Sequence, residues 1–316
     1  MRISRRSIID LSLLVLVNAL WAVQYPAYKV VGERMGPVTA SAWIFLLATL
    51  VLLPFLRRER TDNPNPGVAR SSRGHSLLDR RNLLGFIFIG VVGLIPASAL
   101  LAWGERCSTA SNASLIYLTV PIITAVMASI ILKERMTWVR WLSLLISIAG
   151  VLILSNIDWR HLDLARAGFL VGNLLVLLAC VASSFYNVYS KELLRRFQPL
   201  EVLIYGYAIA LVFSVPFLIW VERFSFSDVR AYTGNTWFAL LALSILSWGL
   251  AMVLWMFLLK RLDVSQASVS IYLLPFLGVL ISALTLKERI TTATVVGGLV
   301  TLMGTILVTT TEPTSM

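Results

Sequence analysis

The sequence predicts an all-α polytopic membrane protein, with ten transmembrane helices arranged as two inverted five-helix repeats. Three observations predict this. The 316-residue chain is 58% hydrophobic and 14% charged, with a mean hydropathy of +0.82, whereas soluble chains carry roughly 25% charged residues. Its apolar residues gather in long runs separated by charged or turn-forming links. A charged hexamer, LKERMT at 132–137, returns 154 residues later as LKERIT at 286–291.

The apolar runs fall at about 8–29, 38–56, 83–103, 109–132, 138–155, 168–190, 200–221, 236–259, 265–286 and 292–310. A spanning helix needs about 20 apolar residues, because the hydrocarbon core is about 30 Å thick and each residue adds about 1.5 Å. The first run follows a basic start and superficially resembles a signal peptide. It continues through Ala27, long enough to span, so it is expected to be retained as the first helix. Residues 57–81 carry seven arginines together with Pro, Gly and Ser, lack periodicity, and read as a basic loop.

Lysine and arginine placement gives the expected orientation. With the N-terminus inside, 18 of these residues fall on the cytoplasmic side and 9 outside. This bias predicts both termini in the cytoplasm of a plasma (inner) membrane protein. It also accounts for the net charge of +11 without invoking nucleic acid. Cys107 and Cys180 have no metal-ligand spacing, and His75 and His161 sit in polar links, so no metal or cofactor is expected.

Shifting the chain by 154 residues superimposes Ser111 on Ser265, Ala113 on Ala267 and Ser114 on Ser268. The same shift pairs Pro121 with Pro275, Lys133-Glu134-Arg135 with Lys287-Glu288-Arg289, and Gly150 with Gly304. Aliphatic matches arise by chance between apolar helices. A proline, a charged triplet and a glycine in one register do not. Residues 1–155 and 168–310 are therefore read as two repeats. Five helices is an odd number, so the second repeat enters the membrane from the opposite side. That inverted arrangement marks secondary transporters, with a site near the midplane between the repeats.

The stretches STASNASLIYLTVPIITAVMASIILKERMTWVRWLSLLISIAGVLIL and SQASVSIYLLPFLGVLISALTLKERITTATVVGGLVTLMGTILV resemble the EamA-type family of the drug/metabolite transporter superfamily. So does the first helix, NALWAVQYPAYKV. The resemblance covers nearly the whole chain apart from 57–81 and the tails. It implies ten helices in two tandem domains that export or take up organic solutes such as amino acids or nucleosides. The chain departs from many relatives at Glu105, Arg106 and Cys107, where an aromatic residue commonly ends the third helix.

Candidate cavity residues follow from helical faces. Asn18, Trp21 and Tyr25 share a stripe about 100° wide with Tyr28 and Lys29, flanked by Gln24. A polar stripe in a membrane helix faces a cavity or another helix rather than lipid; near a helix end it also reads as an interfacial aromatic belt. Ser183, Tyr186 and Asn187 form the counterpart in the sixth helix, where interhelical hydrogen bonding is the alternative. Ser114 and Tyr117 in the fourth, Trp248 and Trp255 in the eighth, and Ser268 and Tyr272 in the ninth complete the set. Indole and phenol rings suit amphipathic solutes with rings or ammonium groups. Pro121 and Pro275 are expected to kink their helices, as hinges or as fixed bends.

No Asp or Glu falls within the apolar cores, Asp10, Glu105 and Glu201 being read as helix-end residues, and this argues against proton coupling. No phosphate loop or catalytic constellation occurs, which argues against an enzyme. The expected function is a secondary transporter or facilitator of small organic, amino-acid-like metabolites, working as an exporter by alternating access. Its partners are then a small organic solute and the lipid bilayer, with the protein a monomer or homodimer. The alternative is a non-transporting scaffold or lipid-handling protein of the same fold.

Overall fold

The computed structural model describes residues 5–61, 79–108, 113, 116–154, 167–286 and 292–311, and among these no strand occurs. Seven helical stretches are long and apolar enough to cross a membrane: Arg5–Gly32, Pro37–Leu56, Arg80–Gly104, Leu170–Leu194, Pro199–Trp220, Gly234–Arg261 and Val264–Ile281. Val120–Ile131, Trp138–Ile153 and Val295–Thr311 are shorter apolar helices. The chain is an integral membrane protein. Large apolar side chains point outward, Ile130 at 72%, Val212 at 65% and Phe238 at 75% exposure. Water would penalise such a surface, and hydrocarbon does not.

The first apolar run divides at Val23 into α1 (Arg5–Ala22) and α2 (Gln24–Gly32). There follow α3 (Pro37–Thr61), α4 (Arg80–Ile87), α5 (Ile95–Cys107), α6 (Val120–Ile131), α7 (Trp138–Leu154), α8 (Ala167–Leu194) and α9 (Pro199–Trp220). The chain ends with α10 (Gly234–Ala242), α11 (Met252–Arg261), α12 (Val264–Ser268), α13 (Leu273–Leu286) and α14 (Thr292–Thr311). Two π-helical segments, Phe88–Leu94 and Leu243–Ala251, join α4 to α5 and α10 to α11. Such wide turns re-aim the side chains that follow and are frequent at functional sites.

Pro121 and Pro275 lie where helices restart. Pro121 is in the first turn of α6, after a turn at 118–119, and Pro275 is in the first turn of α13, after a 3₁₀ segment at Val269–Tyr272. A proline has no N–H to donate, so the first turn of a helix, where that donor is unused, accommodates it.

Helices α7 and α14 pack through small residues. A Cβ on Gly150 would lie 2.6 Å from Thr301 N and 2.7 Å from Gly297 O, and one on Gly304 would lie 2.8 Å from Ser143 O. Only glycine permits so close an approach. Between them Ser147 Oγ donates to the Thr301 carbonyl and Thr301 Oγ1 donates to the Ser147 carbonyl, each at 3.4 Å.

Candidate functional site

Three helical units meet at Trp255. The side chain is fully buried on α11, and its Nε1 donates to Asn187 Oδ1 of α8 at 3.0 Å. The Trp21 ring on α1 lies against it, with centroids 5.1 Å apart and planes tilted by 57°. One turn before Trp21, Asn18 is fully buried; its Nδ2 donates to the Leu14 carbonyl at 2.8 Å and to Ser270 Oγ at 3.1 Å. Among the described residues Asn18 Oδ1 is buried without a hydrogen-bond partner, and the buried Tyr186 hydroxyl has the Ser190 hydroxyl as its neighbour. Buried polar atoms are ordinarily satisfied, so orphaned ones call for a ligand or water.

A second aromatic group adjoins the π segment. Trp248 Nε1 donates to Tyr28 Oη at 3.0 Å, and Tyr207 Oη donates to the Trp248 carbonyl at 2.8 Å. Phe45 stacks on Tyr207 at 5.2 Å and meets Trp248 edge-on at 5.3 Å.

The residues read from the sequence divide accordingly. Trp255 touches both Trp21 and Asn187, with Asn18 and Tyr186 one turn or less away on the same helices. Trp248 belongs to the Tyr28 group. Ser183 and Gln24 are half-buried on α8 and α2. Ser268 donates to the Ser265 carbonyl of its own helix at 3.0 Å, and Tyr272 Oη donates to the Leu118 carbonyl at 2.8 Å, tying the Val269–Tyr272 segment to the turn before α6. Tyr117 is half-buried and packs with Val120, Val176 and Cys180. Ser114 and the Tyr25 side chain lie outside the described residues.

Tyr207 and Phe45 were not singled out from the sequence, since each sits in an otherwise apolar run without a polar stripe. Asp10, read there as a helix-end residue, occupies the second turn of α1. It is 2% exposed, with Arg261 Nη1 3.3 Å from its Oδ1.

A membrane-spanning helical chain that buries amide and indole groups where its helices meet has the build of a membrane transport protein. The model of the EamA-like transporter family matches residues 9–156 and again residues 170–310, and the chain belongs to that family. It is a transporter and not an enzyme. The probable terminal-alkyne amino-acid exporter of Streptantibioticus cattleyicolor is 27% identical over 298 residues, covering 93% of this chain and 91% of that protein. The uncharacterised transporter YdfC of Bacillus subtilis is 26% identical, covering 92% of this chain and 87% of its own. A solved structure described as "Crystal structure of protein" matches with a TM-score of 0.75 at 20% identity, over 96% of each chain, and shares the fold.

Proposed function

We propose that the chain is a secondary transporter or facilitator that exports small amphipathic organic solutes of amino-acid-like character by alternating access. The observation that carries this reading is the Trp21–Trp255–Asn187 junction, with the Asn18 carbonyl oxygen, unpartnered among the described residues, and the buried Tyr186 hydroxyl on the same helices. Aromatic faces and an amide oxygen suit an ammonium group, and a hydroxyl suits a carboxylate. The amino-acid exporter among the relatives agrees with this solute class.

Ten spans in two inverted five-helix repeats, 1–155 and 168–310, are the architecture in which such a site would work. Several contacts support it. Ser147 meets Thr301, and Leu118 meets Tyr272, each pair 154 residues apart. A residue that meets its own repeat equivalent is expected on a twofold axis. The two π segments also fall at nearly equivalent places under the same shift. The basic-residue bias favours an orientation with both termini in the cytoplasm.

Purified protein in liposomes should show counterflow of at least one radiolabelled solute from a panel of neutral amino acids and their amphipathic analogues. Trp255→Ala should reduce that flux by about tenfold or more, the scale of losing an aromatic anchor from a binding site. Absence of flux for every solute, from folded protein, would refute the reading.

A further inference from the structure

One face of the helical bundle gathers the start of α1, the ends of α6, α8 and α11, and the start of α12. Helix α6 ends in a left-handed turn at Lys133 (φ 58°), which swings the next residue outward. That residue, Glu134, is only 6% exposed and reaches 130 residues along the chain. Its Oε1 accepts from Val264 N at 2.8 Å. Its Oε2 accepts from Ser265 N at 3.0 Å and from Ser265 Oγ at 2.6 Å. The carboxylate thus caps α12, whose first amides carry the positive end of the helix.

Arg140, on the first turn of α7, encloses this cap. Its Nη1 donates to Ser265 Oγ at 2.8 Å, and its Nη2 pairs with Asp263 at 2.5 Å. Lys191 Nζ, at the end of α8, donates to the Leu262 carbonyl at 2.6 Å, and Arg261 pairs with Asp10 of α1 at 3.3 Å. The link between α11 and α12 is held from four sides, by Glu134 after α6, Arg140 of α7, Lys191 of α8 and Asp10 of α1.

These contacts lie directly over the aromatic centre. Lys191 follows Asn187 by four residues, Arg261 follows Trp255 by six, and Asp10 precedes Asn18 by eight. At about 1.5 Å per residue the spacing is about 6–12 Å along each helix. Trp255 is fully buried six residues before Arg261, so a solute bound there and leaving toward this face would pass the 261–265 link. A closure made of charges suits that task, because its members regain water when the mouth opens. An apolar plug would have to expose hydrocarbon.

We infer that the Glu134–Arg140–Ser265 cluster is a gate latch, closed in this structure, whose release opens the N-terminal face of the protein to the central site. The inference rests on the alternating-access reading above, but its test does not depend on flux. A single reporter cysteine at Ser183, in a C107S/C180A background, is labelled from either face of sealed vesicles with a membrane-impermeant maleimide. Glu134→Gln keeps the shape and removes the charge. It should raise labelling from the N-terminal face about fivefold or more, the scale of losing a charge-assisted hydrogen bond. Unchanged labelling overturns the latch. Should Glu134→Gln fail to accumulate, Ser265→Ala, which keeps both backbone amides, is read in the same way and should give a smaller rise. Glu222→Gln, at another interhelical cap, should leave labelling unchanged; an equal rise there would mean general loosening and also overturns the latch. Labelling that rises without any measurable flux sinks the transport reading and leaves the latch standing. Flux with unresponsive labelling does the reverse.

Discussion

Glu134 and Glu222 perform the same local task in different surroundings. Each follows the end of a membrane helix next to a residue of positive φ, Lys133 just before Glu134 and Arg223 just after Glu222. Each carboxylate reaches the first amides of a helix far away in sequence and also takes a hydroxyl there. Glu222 accepts from Val38 N at 2.8 Å, Thr39 N at 2.7 Å and Thr39 Oγ1 at 2.6 Å. The difference lies in what encloses them. Glu134 lies beside a buried arginine that is itself paired with Asp263, over the aromatic centre. Glu222 has no ion-pair partner among the described residues and fastens α3 to α9, helices already held together by the Phe45–Tyr207 stack. The same cap is therefore a brace in one place and, with compensating charges that water can replace, a releasable closure in the other.

The strongest way to break that comparison is Glu134→Ala. It strands two backbone amides and leaves Arg140 without one of its neighbouring acids in a buried setting. Removing one partner from a buried charged network costs about 3–5 kcal/mol. Thermal unfolding in detergent should show a large loss, and a loss no greater than that of an exposed cap variant would refute the asymmetry. Glu222→Ala comes next. It removes a helix cap without leaving a buried countercharge, so the expected cost is about 1–2 kcal/mol in the same assay. A value equal to that of Glu134→Ala would mean that both are structural braces.

Much of this was legible in the sequence, in a particular way. Long apolar runs announce membrane helices because hydrocarbon tolerates almost nothing else, and runs such as 38–56 and 200–221 reappear at Pro37–Leu56 and Pro199–Trp220. A polar stripe also survives folding, which is why Trp21, Asn187 and Trp255 could be singled out before their contacts were known. The repeated hexamer was legible as the mark of the 154-residue repeat, and within its first copy Thr137 Oγ1 accepts from Arg140 N at 3.2 Å. The long reach of Glu134 left no local trace, because its partners are 130 residues away. Lys287–Thr291 of the second hexamer lie outside the described residues. The π segments were invisible for another reason: one extra residue per turn changes the geometry without changing composition. The burial of Asp10 depends on the packing around Arg261, which α1 alone does not encode.

The finest test separates the two hydroxyls. Ser265 Oγ donates to Glu134 and accepts from Arg140, so Ser265→Ala removes two bonds from the latch. Thr39 Oγ1 makes a single bond, to Glu222. A typical net hydrogen bond contributes about 1 kcal/mol, and bonds to charged groups contribute more. Ser265→Ala should therefore destabilise by about 2 kcal/mol and Thr39→Ala by about 1 kcal/mol, with both backbone caps retained. The decisive quantity is how each loss responds in a double mutant. Combining Ser265→Ala with Arg140→Gln should cost less than the sum of the single changes, since both remove the same contact. Combining Thr39→Ala with Arg140→Gln should be additive. Additivity in both pairs would mean that Arg140 does not act through Ser265, and the distinction between latch and brace would then rest on Asp263 alone.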